Sequence, residues 1–398
     1  MAEHVKIMMS QHVGVSATPL VTLGERVKKG QLIAACNGLG ANIHSSVYGE
    51  IIHIDPTFVE ISADLIQPDE YVKIKHTATN LEAIKEAGIV GAGGAGFPAH
   101  IKYDVDLQGG FVILNAAECE PGLLHNKQVL IDNAQSVVRG VKYIMEITNA
   151  SRSYIALKRN TDENSSDFDA LKNICKAEEH IEVKYVSANY PAGDERVIIR
   201  ELLGVELQPG QLPMSVGAIV SNVETAKRVT EAIELRKPMI TKDFSVGGRL
   251  RDTFGGSSIA YLDQPIGVSV GKYIGECGGY IEPHGEIVLG GPFMGKSGEE
   301  SSVITKVLGG ILVAMPFPAD TGKFGILSCE CGAQETRLRD IVHSMGGTVA
   351  CELKCKRMIE VQGRHRCEKP GACPGQAESA LWFKTNGAEA ILAGACED

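Results

Sequence analysis

The segment GIVGAGGAGFPAHIKY opens at Gly88 and is followed, after a short apolar run, by LNAAECEPG ending at Gly122. From Gly91 to Gly96 the chain is glycine and alanine alone, so an anion can approach its backbone N–H groups without meeting bulky side chains. Lys102 follows, then Asn115, Glu118 and Glu120 after the apolar FVIL run. Amides, one cation and carboxylates in this order suit a ligand with a phosphate at one end and a polar ring at the other. The glycines fit G-x-G-x-x-G, but a helical segment, LEAIKEA, precedes them where a dinucleotide-binding loop needs a strand. A standard Rossmann NAD site is therefore not expected. Pro98 sits where the first turn of a helix tolerates it, and that helix is expected to add its positive end and to place Lys102 one turn in. A glycine-rich turn closing on a neighbouring strand is the competing reading of the loop alone.

At 398 residues, two to four domains are expected. Residues 1–78 read as β, with short apolar runs broken by Gly14, Gly24, Gly30, Gly40 and Gly49. Across 79–240, strands alternate with helices. Strands are predicted at 111–114, 153–157, 182–186 and 216–220, and helices at 81–87, 128–145, 168–175, 194–203 and 224–233. Residues 241–318 return to β and glycine with one short helix. A last α/β segment, 319–398, holds Cys329, Cys331, Cys351, Cys355, Cys367, Cys373 and Cys396, seven of the eleven cysteines.

Two further polar clusters precede helices in the α/β segment: Tyr190-Pro-Ala-Gly193-Asp-Glu195 and Ser221-Asn-Val-Glu-Thr225. The four elements, in this order, resemble the flavin-binding subunit of respiratory complex I and the RnfC component of Rnf electron-transport complexes. The resemblance covers roughly residues 80–310. It implies an FMN site at Gly91, Gly93, Gly94, Gly96, Lys102, Asn115, Glu118, Tyr190, Gly193, Asn222 and Thr225, and NADH stacking near Phe97, Glu120 and Glu195. Ala117, Ser221 and Asp194 depart from the family's Asp, Asn and Glu, and each is expected to weaken a polar contact. The resemblance also implies a Rossmann-like flavin domain followed by a soluble-ligand-binding β-grasp domain. Residues 1–78 resemble the barrel-sandwich hybrid of lipoyl and biotinyl carriers, but Cys36 to Ser46, where a carrier lysine belongs, contains no lysine. A structural module is expected there. The fold class is thus multidomain α/β. No side chain is expected to act as a general acid or base, since the hydride chemistry is the cofactor's.

The tail lacks the ferredoxin repeats of the Rnf relatives. Its cysteines are expected at strand ends on one edge of a small sheet. An iron–sulfur cluster, a redox-active pair such as Cys351 and Cys355, and structural zinc or plain buried thiols are the competing readings. Cys119, beside Glu118, reads as a small packing residue.

A net charge of -10 argues against nucleic-acid or anionic-membrane partners. The longest uncharged apolar run, Val307 to Ala319, is too short to span a bilayer and contains prolines, and the first residues lack a signal-peptide core, so a cytoplasmic location is expected. The whole pattern resembles the electron-transfer proteins associated with D-proline reductase. That implies NADH as donor and a soluble reductase complex as acceptor. A corrinoid reductase of the propanediol-utilisation type and a non-catalytic docking protein with structural zinc are the alternatives.

Overall fold

The computed structural model describes residues 4–253 and 255–394. Cys396 lies outside the described residues. Near the N-terminus, two small antiparallel sheets face each other. One orders His4–Met8, Phe58–Ala63, Gly49–Ile54 and Arg26–Val27; the other orders Thr18–Pro19, Leu32–Ala35 and Ile43–His44. Val5, Ile7, Ile33 and Ile61 of their strands, with Val47 of a connecting loop, share one core with Phe244, Val246 and Ile311 of a later sheet and Tyr273 of a helix packed against that sheet. The first and third segments of the chain are therefore packed as one body.

Between them in sequence lies a four-stranded parallel sheet, ordered Ile181–Val186, Arg152–Lys158, Phe111–Asn115 and Ala218–Asn222. Alternation along each strand splits its side chains between two faces. Val112, Leu114, Ile155, Leu157 and Ile219 enter the larger core, whereas Ile113, Ala156, Ala218 and Val220 enter the smaller one. The helix His125–Thr148 supplies Val129, Ala134, Val137, Val138, Val141 and Ile144, which recur at helical spacing, to the larger core. The later sheet is mixed and five-stranded, with the helix Val270–Glu276 against it. The tail forms a three-stranded parallel sheet of Thr348–Lys354, Lys323–Ser328 and Ala390–Ala393, with helices Glu335–Met345 and Ala377–Thr385 and a hairpin of Met358–Val361 and Arg364–Cys367.

The α/β unit and the five-stranded sheet are joined by buried charge. Glu224, Arg228, Lys242 and Asp243 are each at most 1% exposed. Glu224 receives hydrogen bonds from Lys242, from Arg228 (3.0 Å) and from the Asp243 backbone N–H (2.9 Å). Lys227 bonds Asp243 (3.2 Å) and Asp263 (2.9 Å). Burial alone would raise the Asp243 carboxyl, but Arg228 and Lys227 outweigh it and hold it below the usual carboxylate range.

A second junction is built on a lone cation. Lys306, 1% exposed, donates to the carbonyls of Asn42 (2.8 Å) and Gly88 (2.7 Å), linking the N-terminal sheets to the start of the glycine segment. Burial lowers its ammonium to about 7. The facing histidines, His12 and His44, are also lowered, chiefly by burial. In the unfolded chain Lys306 regains its ordinary value of 10.5. Between these values the unfolded state holds a proton that the folded state lacks, so this group's contribution to stability increases as pH rises from about 7 to 10.5. Lys306→Met is expected to remove that increment. Unfolding midpoints of both proteins across pH 6.5–10 check it, with parallel profiles counting against it.

Candidate functional site

The helix Asn80–Glu86 starts on a capping box, in which Thr79 and Glu82 satisfy each other's backbone N–H groups, and it ends before Gly88. Gly88 has φ +66°, and a Cβ there would lie 2.1 Å from the Asn42 carbonyl oxygen, so only glycine fits. The loop from Gly91 to Gly96 follows. Its base is tied by Gly91 N–H to the Phe97 carbonyl (2.9 Å), by Gly96 N–H to the Gly91 carbonyl (3.2 Å) and by Ala92 N–H to the buried Thr225 hydroxyl (3.0 Å). Gly93, Gly94 and Ala95 at its tip are exposed. Among the described residues, no acceptor engages their N–H groups. Three successive open amides beside a cavity form an anion cradle.

The helix predicted at Pro98 is a single turn, Ala99–Lys102. It stops because Tyr103 turns inward, 1% exposed, and bonds the Ser221 hydroxyl (2.7 Å). Its dipole is too short to matter. Instead, the twelve-residue helix Val223–Glu234, N-capped by Asn222, presents its N-terminus to the cavity wall.

The loop opens on a cavity of about 760 Å³. Gly91, Gly93, Gly94, Phe97, Lys102, Asn115, Glu118, Glu120, Gly193, Glu195, Asn222 and Thr225 all line it. Parallel strands bring them together: Asn115 and Asn222 are paired in register at adjacent carboxyl ends, where ligands sit in open α/β sheets. Two residues from the sequence reading lie elsewhere. Gly96 turns against Val307 and the backbone of Gln11 and His12, and helps carry the loop. Tyr190 lines a neighbouring cavity, and its hydroxyl donates to the Cys331 carbonyl (2.5 Å).

Several lining side chains already hold protein partners. Lys102 pairs with Glu195 (2.9 Å). Asn115 donates to the Gly193 carbonyl (2.9 Å) and accepts from Ala117 N–H (3.1 Å). Asn222 donates to Asn126 (3.3 Å). Glu118 accepts from Asn126 (3.0 Å), and burial raises its carboxyl. Glu120 accepts from the backbone of Phe293 (2.9 Å) and Met294 (3.0 Å), fastening a turn of the five-stranded sheet over the cavity. Burial pushes the Cys119 thiol up to about 11, which suits a packing residue and not a nucleophile. Of the three departures, Ala117 is a buried wall residue, Ser221 serves Tyr103, and Asp194 caps the helix Glu195–Leu203 through Arg196 N–H (2.8 Å).

Sequence reasoning missed the roof: Leu289–Gly291, Met294, Lys296, Ser297, Val303, Thr305 and Val307–Gly309. The glycines of GGPFMGK permit a turn, but nothing in that sequence signals its fold-back onto Glu120. Lys296 adds a second cation to the lining.

The cysteines gather in a second cavity of about 210 Å³, lined by Cys329, Cys331, Cys355, Cys367 and Cys373 together with Tyr190. Cys351, on the strand Thr348–Lys354, is not part of its lining. Among the described residues, no three His, Cys, Asp or Glu side chains are arranged around one metal position.

A glycine loop with open amides, a parallel sheet and polar groups at its carboxyl edge define an α/β protein of the complex I flavin-domain class. Residues 84–231 match the Nuo51 FMN-binding domain, and residues 1–73 match the RnfC barrel sandwich hybrid domain. The RnfC-type component of the proton-translocating ferredoxin:NAD(+) oxidoreductase complex of Clostridium ljungdahlii is 35% identical over 315 residues, covering 74% of this chain and 66% of its own length. Its counterpart in the Na(+)-translocating ferredoxin:NAD(+) oxidoreductase complex of Acetobacterium woodii is 31% identical over 315 residues, covering 74% and 69%. Cobalamin reductase PduS of Salmonella typhimurium is 36% identical over 235 residues, covering 58% and 49%. The chain belongs to the RnfC family. A solved NAD+-reducing NiFe-hydrogenase, 21% identical, shares the fold at a TM-score of 0.50 over 59% of this chain and 46% of its own. Among the described residues, no helix is long and apolar enough to cross a membrane.

Proposed function

We propose that the large cavity binds FMN and that the chain carries electrons from NADH to a reductase partner. The observation that carries this reading is the convergence of three open amides, Lys102 and the paired Asn115 and Asn222 on one cavity. Gly93, Gly94 and Ala95 would hold the phosphate, with Lys102 or Lys296 balancing its charge. The polar groups at the strand ends would meet the ribityl chain and ring edge. FMN, when bound, supplies the hydride-accepting chemistry. The protein's part is to orient and to exclude water, and the turn clamped by Glu120 supplies the cover. Phe97 and Glu195 remain the residues for the nicotinamide cofactor. Glu120 shares that role with its clamp, and Tyr190 would act from the neighbouring cavity.

We read the five-stranded sheet as a soluble-ligand-binding β-grasp unit and the N-terminal sheets as a barrel-sandwich scaffold. The acceptor would be a soluble complex of the proline reductase type. The likeness to cobalamin reductase supports a corrinoid acceptor as the second reading.

Protein isolated without oxygen is expected to be yellow, to release FMN on denaturation and to bleach on addition of NADH. A colourless protein that binds no added FMN would end this reading. Supplying a proline reductase complex or a cobalamin substrate to the bleached protein separates the two acceptors by which one restores the colour.

A further inference from the structure

Three thiols meet in the second cavity, and one carboxylate holds them there. Glu330, between Cys329 and Cys331, accepts from Arg196 (2.8 Å), from Arg366 (2.6 Å) and from the Cys367 backbone N–H (2.5 Å). Arg196 also donates to the Cys367 carbonyl (2.7 Å). These bonds hold the Cys329–Cys331 turn against the end of the hairpin and bring the Cys331 thiol into contact with those of Cys329 and Cys367. The backbone N–H groups of Cys331 and Gly332 serve the Cys329 sulfur, and that of Lys369 serves the Cys367 sulfur.

We propose that Cys331 and Cys367 form a reversible disulfide, and that the cavity exchanges it with disulfides that bear a carboxylate. Three observations favour this activity. The two cysteines come from separate elements of the tail, and their thiols already touch. Their surroundings activate a thiol: the Cys331 thiol above all, then backbone N–H groups, lowers Cys329 to about 7, and the Cys331 thiol, the Lys369 N–H and Arg196 do the same for Cys367. Burial instead pushes the packing residues Cys119 and Cys175 up to about 11. Finally, the thiols face an open space of about 210 Å³, room for the reacting end of a disulfide. Lys369 and Arg357 line that space. Lys369 is paired with Glu206, but the buried Arg357 Nε has no partner among the described residues, so Arg357 is the group that would meet a carboxylate.

The Cys367 thiolate would attack one sulfur of the incoming disulfide and break its S–S bond. One substrate thiolate leaves and takes a proton from solvent, while the other half stays bonded to Cys367. Cys331 then passes its proton to the Cys329 thiolate and attacks the Cys367 sulfur. That closes the Cys331–Cys367 bond and expels the second half, which is protonated in turn. Two electrons have passed from two protein thiols to the substrate. An external dithiol, itself oxidised to a disulfide, reverses every step. The exchange draws no electron from the large cavity, so it stands apart from the flavin reading.

The full chain, reduced with dithiothreitol, freed of it and given glutathione disulfide without oxygen, should yield a linked Cys331–Cys367 peptide once the remaining thiols are alkylated. Fresh dithiothreitol should remove the link. Cys331→Ser should instead keep one glutathione on Cys367 with unchanged circular dichroism, and Cys351→Ser should form the link as the parent does. No link, or links confined to other cysteines, would overturn the site, as would zinc or iron bound to these thiols in the isolated chain. Arg357→Gln should lower the rate with glutathione disulfide, relative to that with the cationic disulfide cystamine, at least about threefold, the size of one lost ion pair. An unchanged ratio would overturn the preference for a carboxylate.

Discussion

Glu224→Ala should lower the free energy of unfolding by about 3–5 kcal/mol, the range for removing one partner from a buried ion pair. The substitution leaves Lys242 and Arg228, both at most 1% exposed, without the carboxylate that each contacts. It also strands the Asp243 backbone N–H. Asp243 cannot fully replace it, because it already serves Lys227 and Arg228. Denaturant unfolding with an unchanged slope reads the loss directly. A change below about 1 kcal/mol, the size typical of exposed pairs, would mean that water or rearrangement satisfies these cations and that the junction is not built as described. Glu224 lies in the first turn of the helix that Asn222 caps and from which Thr225 holds the glycine loop, so FMN content should fall with stability.

Gly91→Ala should weaken FMN binding at least about tenfold, or about 1.4 kcal/mol, while leaving the melting temperature within a few degrees of the parent. Gly91 lines the large cavity, yet its backbone is outside the left-handed region, and a Cβ there would meet nothing nearer than the Phe97 backbone at 3.7 Å. The fold therefore has room for a β-methyl group, and a ligand seated over the loop would leave none. Gly94 would be a poorer probe: its φ of +116° makes any side chain a backbone problem as well. Fluorescence titration of the apoprotein with FMN, beside thermal unfolding, measures both quantities. Undiminished affinity would remove the loop from the binding site.

The parallel sheet was legible because its strands are short apolar runs and its longest helix repeats small aliphatic residues on one face. Ile113 and Leu114 sit in different cores, as period-two alternation requires. The polar residues at strand ends were legible for the same reason: once the strands are placed, Asn115 and Asn222 must share an edge. Other features depended on contacts distant in sequence. Nothing near Pro98 says that Tyr103 must bury itself and end the helix after one turn. Nothing near Tyr190 says that its hydroxyl reaches the carbonyl of a residue far along the tail. The hairpin that delivers Cys367 is written in the short segment MIEV and in RHRC, which is too polar to read as a strand, and it is fixed by Glu330 and two arginines. Glu224 was visible as part of a polar motif, but its work lies in the junction and not in the cavity.

Glu195 and Arg196 are neighbours on one helix, yet the first pairs inside the large cavity and the second grips the tail. The C-terminal module is thus wired into the wall of the cofactor chamber. Deleting it would strip Arg196 of Glu330, deprive Tyr190 of its acceptor and unsettle the helix that positions Glu195. Any assay of a shortened chain would report on a damaged chamber as well as on a missing appendage.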